Sequence, residues 1–211
     1  MTKKKGKTAT RMAGDERREQ ILRIAMQRFS KNGFQGTTTK RIAEEAGVSE
    51  AMVFKHFANK EELYADIIDF KACNHGSKDP FDKIKNELES KDDFGVFYGM
   101  ALEAFNNHEE DRDFMRLLLY SALEKHDLAR MFFESFVAGI YEFLSEYIRE
   151  RQKDGAFREI EPKVAVRAFV GMMVHHSLSN ILWDTDQKIL KISNEDAAKD
   201  FATLFLNGIK K

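Results

Sequence analysis

The chain has 211 residues, enough for one large domain or two small ones, and its 2 prolines, where average usage would give about ten, favour long uninterrupted helices over a loop-rich sandwich or barrel. A hydrophobic share of 43% beside a charged share of 33%, with no apolar run near ~18 residues, excludes a disordered chain and a helical membrane protein. The net charge of −1 hides an asymmetry: residues 1–60 hold 14 Lys and Arg against 6 Asp and Glu, a net +8, and the remainder carries −9, as a small polyanion-binding module on an acidic body would.

Residues 1–14 contain Lys, Thr and Gly without periodicity and read as a flexible basic arm. A basic tail on an ordinary protein would also raise the charge of this end. No apolar stretch follows it, so no standard secretory signal is expected and a cytoplasmic location is. Cys73 is the sole cysteine, which leaves no intrachain disulfide and no cysteine zinc cluster.

From Asp15 a helical period begins. Ile21, Leu22, Ala25 and Phe29 share one face, Asp15 and Glu16 suit the positive end of the helix dipole, and Asn32-Gly33 stops the helix. Thr38 is a good N-cap for a second helix with Ile42, Ala43 and Ala46 inward. Gly47 breaks the chain, and Ser49 caps a third helix whose inner pair is Val53 and Phe57. Asn59 and Glu62 have capping-box spacing and open a fourth helix carrying Leu63, Ile67, Ile68 and Phe70. Beyond Asn74-His75-Gly76-Ser77, helices are expected near 80–89, 93–107, 112–125, 127–153, 163–183 and 194–209, with Pro162 in a first turn. The expected fold is all-α: an N-terminal three-helix domain at 15–60 and a larger helical bundle at 61–211, about nine to ten helices in all.

Two short helices joined by Ala46-Gly47-Val48-Ser49 have the chemistry of a helix-turn-helix, in which the second helix enters the major groove. Coincidence with the basic segment strengthens that reading. The stretch from about Arg17 to Leu63 resembles the TetR-like (TetR/AcrR-type) transcriptional regulators. The resemblance rests on Ile21-Leu22, Ala25, Phe29, Gly33-Phe34, Thr37-Thr38, the run Ile42 to Ser49, His56-Phe57, and Lys60 to Leu63. It implies an N-terminal DNA-binding domain and a larger C-terminal domain that dimerises and binds a small effector. The family usually has tyrosine where this chain has Phe54, which shifts backbone contact onto Lys55, His56 and Lys60.

Within that frame Thr38 and Thr39, at a helix N-terminus, and the cations Lys40, Arg41 and Lys60 would hold phosphates. Glu50, Ala51, Met52, Phe54, Lys55 and His56 belong to the reading helix: Lys55 can pair with guanine, Glu50 can accept from cytosine, and Ala51 or Met52 can touch a thymine methyl. Glu50 also suits a plain helix-capping charge, and Lys40, Arg41 and Lys60 also suit a solvated face.

Enzyme readings find little support. The six histidines include no metal-site i, i+4 pair, His175 and His176 point about 100° apart, and no glycine-rich phosphate loop occurs. No cofactor and no metal are called for. The body holds 14 of the 18 phenylalanines. Phe97, Met115, Leu119, Phe136, Met172 and Trp183 are the expected wall of an effector pocket, with His176 and Asn180 orienting a polar head; core packing is the plainer role of each. A dimer seam is expected on the last two long helices through Ala165, Ala168, Met172, Ala198, Phe201, Ala202 and Phe205.

The leading expectation is a dimeric repressor released from a palindromic double-stranded DNA operator by a small apolar ligand of unknown identity. A regulator without a small-molecule effector is the alternative, and a helical carrier or enzyme using the bundle cavity is the reading from another class.

Overall fold

The computed structural model describes residues 14–74, 81–125 and 127–211. The basic arm expected at 1–14 thus lies outside the described residues up to position 13, as do His75, Gly76, Ser77 and His126. Helix α1 is Gly14–Asn32, α2 Thr39–Ala46, α3 Glu50–His56 and α4 Lys60–Asn74. A 3-10 turn at Asp82–Ile84 leads into α5, Lys85–Glu89, followed by α6, Asp93–Glu110, and α7, Arg112–Leu123. Helices α8, Asp127–Phe132, and α9, Ala138–Lys153, are joined by the π turn Phe133–Val137. Helix α10, Pro162–Leu178, ends in a second π turn, Ser179–Trp183, and α11 is Asn194–Ile209. The rod expected at 127–153 is therefore divided, which gives eleven α-helical segments among the described residues.

Apolar side chains gather into two cores. The first takes Ile21, Leu22, Ala25 and Phe29 from α1, Ile42, Ala43 and Ala46 from α2, Val53 and Phe57 around α3, and Leu63, Tyr64 and Ile67 from α4. Phe114 and Leu117 of α7 and Leu128 of α8 complete it, so this core continues past residue 60 into the body. Phe29, Phe34 and Tyr64 form an aromatic trio, with Tyr64 edge-on to the other two at 4.7 and 5.0 Å. Burial pushes the Tyr64 hydroxyl up to about 12.

The second core is built from α6, α9, α10 and α11 around Phe97, Phe169 and Phe205, whose rings meet at 4.7 to 5.0 Å. Across its edge Asp93 accepts from Tyr147 Oη at 2.8 Å and from Arg151 Nε at 2.7 Å. This buried carboxylate ties α6 to α9, and its hydrogen bonds hold the Arg151 guanidinium charged well above its ordinary range. Glu161 caps α10 and Pro162 fills its first turn. The C-terminus is pinned by an isolated antiparallel bridge between Phe157 and Lys210.

The burial pattern corrects part of the expected dimer seam. Ala165, Ala198, Ala202 and Phe205 lie inside the second core of a single chain, Phe205 with 6% exposure. The reason is close approach: small residues let α10 and α11 pack against α6, and Phe205 fills the space between Phe97 and Phe169. Ala168 is exposed, and Met172 and Phe201 are half-buried.

Candidate nucleic-acid interface

The corner between α2 and α3 is fixed by backbone chemistry. Gly47 has φ +65°, a left-handed conformation that favours glycine. Its N–H donates to Glu44 O at 3.2 Å and the Val48 N–H to Ala43 O at 3.0 Å, the two bonds of a Schellman turn. The Thr38 side chain accepts from the Arg41 N–H at 3.3 Å and that of Ser49 from the Met52 N–H at 3.2 Å, so both helix starts are capped. Asn59 accepts from the Glu62 N–H at 2.7 Å, while Glu62 reaches back to the Ala58 N–H at 2.6 Å, one residue before the position a capping box uses.

These constraints decide which side chains face outward. Thr38, Lys40 and Arg41 on the α2 side, and Ala51, Met52, Phe54 and Lys55 on α3, are exposed; Phe54 shows 46% of its surface. Thr39, Glu50, His56 and Lys60 are half-buried. The Thr39 hydroxyl donates to Glu50 Oε1 at 2.5 Å, which joins the first residue of α2 to the first of α3. That carboxylate therefore has an internal partner as well as a place on the reading helix. The Lys60 ammonium stands 4.0 Å over the Phe34 ring, and burial lowers its pKa from the ordinary lysine value.

The positive charge of this region divides into two sets. Arg18 pairs with Asp66 at 2.7 Å and stacks 5.1 Å over Phe57; Arg23 pairs with Glu19 at 3.2 Å; Arg28 pairs with Glu45. The Arg18 and Arg28 pairs brace α1 against α4 and α2, and the Arg23 pair lies within α1. Among the described residues no ion pair engages Lys40, Arg41 or Lys55, so their charge is available to a polyanion. The sequence gives no sign of the bracing set: Arg28 and Glu45 are 17 residues apart and meet only once α1 and α2 have packed.

The residues expected to wall an effector pocket do not gather in one place. Phe97 is enclosed in the second core, Trp183 is 68% exposed, and Phe136 is also exposed. Met115 and Leu119 are half-buried on α7, and Met172 packs beside the second core. His176 and Asn180 do come together, the Asn180 amide lying 3.3 Å from His176 Nε2, and both line a small cavity. Among the described residues no group of three His, Cys, Asp or Glu side chains could hold a metal, and no helix is long and apolar enough to cross a membrane.

A glycine-cornered helix pair with an outward cationic and apolar face, seated on a helical body, defines a helix-turn-helix DNA-binding regulator. Residues 21–67 match the family described as bacterial regulatory proteins, tetR family, and residues 97–208 match the C-terminal domain of AefR-like transcriptional repressors. The chain belongs to the tetR family of transcriptional regulators. It is 46% identical over 59 residues to the uncharacterized HTH-type transcriptional regulator YvkB of Bacillus subtilis, covering 28% of this chain and 31% of that one. The chain thus spans about a third of that relative's length. The fold is similar to the fatty acid degradation regulator FadR from Bacillus halodurans, with a TM-score of 0.69, 20% identity and 98% of each chain covered. It is also similar to AibR, solved in complex with isovaleryl coenzyme A and operator DNA, with a TM-score of 0.66, 17% identity, and 89% of this chain and 97% of that one covered.

Proposed function

We propose that the protein is a cytoplasmic repressor that binds a two-fold DNA operator as a homodimer and is released by a small molecule. The observation that carries the DNA reading is the outward face of α3 and the start of α2: Ala51, Met52, Phe54 and Lys55 beside Thr38, Lys40 and Arg41, with both helices capped. Lys40 and Arg41 hold phosphates and Lys55 reads a base edge; Phe54 and Met52 offer apolar surface to thymine methyls. Thr39, Glu50, His56 and Lys60 stand at the border of that face. Residues 1–14 act as a basic arm, 15–60 as the DNA-binding domain and 61–211 as the effector-binding and dimerisation domain.

Two copies must place their reading helices about 34 Å apart, or a multiple of that. The outward faces of α10 and α11 suit the seam. Val164, Ala168, Gly171 and His175 form an exposed stripe at i, i+4, i+7, i+11 of α10, and Leu204 and Asn207 are exposed on α11. A four-helix bundle formed by these faces leaves the second core intact. AibR, which shares this fold, was solved with isovaleryl coenzyme A as well as operator DNA, so a body of this shape can take up a small molecule.

The test has three parts: selection of an operator from random duplexes, anisotropy titration at two salt concentrations, and sedimentation. The reading predicts a palindromic site, a steep salt dependence and a dimer. A monomer binding random DNA as tightly as the selected site would overturn it. The enclosed Phe97 and exposed Trp183 favour one second reading, a regulator with no small-molecule effector; retention of operator against every small molecule offered is its signature.

A further inference from the structure

Where α6, α7, α10 and α11 meet, a cavity of about 20 Å³ is lined by Phe105, His108, Glu109 and Arg112, by His176, Ser177, Asn180 and Ile181, and by Gln187 and Asn194. Its interior is polar and ordered. His108 Nδ1 lies 2.8 Å from Ser177 Oγ, which joins α6 to α10, and Asn180 contacts His176. Phe105 packs against the His176 ring at 4.9 Å and, with Ile181, supplies the apolar part of the lining.

Its mouth already holds a carboxylate. Glu109 takes Arg112 Nη2 on Oε1 at 3.2 Å and the Asn194 amide on Oε2 at 2.9 Å. Donors from α7 and α11 thus converge on one side-chain carboxylate, and that side chain is half exposed, free to swing into solvent at little cost. A guanidinium beside an amide donor is suited to carboxylate recognition; the cavity alone admits about one water, and the Glu109 side chain, on leaving, vacates room for a carboxylate and a few carbon atoms, too little for a drug-sized molecule. Long apolar ligands are excluded by the same measure.

We propose that this cavity binds a short monocarboxylate, whose carboxylate takes the place of the Glu109 side chain on Arg112 and Asn194 and whose carbon chain lies against Phe105 and Ile181. This rests on the reading of the protein as an effector-released regulator and names its effector class. The consequence is a competition within the site: Glu109 holds the donors when the ligand is absent and yields them when it is present.

The test uses the full chain with acetate, propionate, butyrate and octanoate, and with propionamide and propylammonium as controls. Binding is read by calorimetry, and release of the selected operator by anisotropy. Short acids should bind and octanoate, the amide and the ammonium should not. Arg112→Gln should weaken propionate at least tenfold. Glu109→Gln should tighten it several-fold, because the internal competitor loses its charge; a merely structural Glu109 would not produce a gain. Absence of acid binding by a folded protein, or a Glu109→Gln variant that binds propionate no better, would overturn the proposal. Release of operator by some other class of compound would then keep the effector reading alive. Acids that bind as described without moving the DNA signal would support the site and count against the effector reading.

Discussion

The backbone N–H of Phe34, in the loop between α1 and α2, donates to Glu124 Oε2 at 2.9 Å, just past the end of α7. A body residue therefore satisfies a donor of the DNA-binding half, 90 positions away in sequence. The same helix begins at Arg112 on the cavity mouth, and Asp113 in its first turn accepts from Ser30 of α1 at 3.0 Å. Helix α7 thus touches the reading half at both ends.

Gly33 separates two costs. Its φ of +69° strains any other residue, and a Cβ would run into Glu124 Oε1 and approach Tyr120. Gly47 has a similar φ of +65° but open space around it. Gly47→Ala should cost ~1 kcal/mol from backbone strain alone, and Gly33→Ala roughly 1–2 kcal/mol more. Adding Glu124→Ala to Gly33→Ala should recover part of that excess. A urea double-mutant cycle measures it, and strict additivity would show that Glu124 is not the obstacle.

Phe205 and Leu204 are neighbours with opposite surroundings. Phe205→Ala removes a ring enclosed by Phe97 and Phe169 and should cost about 3–5 kcal/mol, seen as a fall in melting temperature. Leu204 is 63% exposed, so Leu204→Glu should leave folding cooperative and change only the sedimentation of the protein toward monomer. A Leu204→Glu dimer as tight as the parent would move the seam elsewhere.

At the DNA face the expected losses differ in kind. Lys40→Ala should weaken selected and random duplexes about equally and reduce the slope of log affinity against log salt by ~0.9. Lys55→Ala should cost about 1–3 kcal/mol on the selected operator and less on random DNA. Equal losses on both duplexes would remove Lys55 from base reading. Thr39→Ala frees the Glu50 carboxylate from its hydrogen bond to α2 and should alter sequence preference more than affinity.

His108 gives a dependence on pH. Burial pushes its imidazole down to about 4, against about 6.5 in an unfolded chain. Between those values the unfolded chain takes up a proton that the folded one refuses. Stability should therefore fall as pH drops from about 6.5 toward 4, by at most roughly 3 kcal/mol from this group. Burial, followed by the neighbouring His175, lowers His176 in the same direction. Urea unfolding at pH 7 and pH 5 should show a smaller difference in His108→Gln than in the parent; an unchanged difference would assign the slope to other groups.

The helical spacing of Ile21, Leu22, Ala25 and Phe29, the glycine at position 47 and the caps Thr38 and Ser49 are legible in the sequence, because each is a local rule written over a few residues. The outward cations Lys40, Arg41 and Lys55 follow from the same register. What the sequence hides is decided at a distance. The stripe through Ala198, Ala202 and Phe205 has the same period whether it faces another chain or α6, and only packing shows that it faces α6. Phe97 and Trp183 are both large apolar residues on helical segments, yet one is enclosed and the other exposed, since the π turn Ser179–Trp183 carries Trp183 outward. The Glu109, Arg112 and Asn194 grouping joins residues 85 positions apart and leaves no periodic mark.

The first core has a consequence for how such a regulator can be recombined. Phe114, Leu117 and Leu128 close the hydrophobic volume that Ile21, Leu22 and Phe29 open, so the headpiece is no detachable cassette. A fragment ending at residue 60 would bare Leu22 and Phe29 to water and lose Leu63, Tyr64 and Ile67 as well. A chimaera that transplants this reading head onto a foreign body must bring along the matching flank of α7, or supply equivalent bulk there. Substitutions at Phe114 or Leu117 would alter the footing of the head without touching any residue of the proposed DNA face.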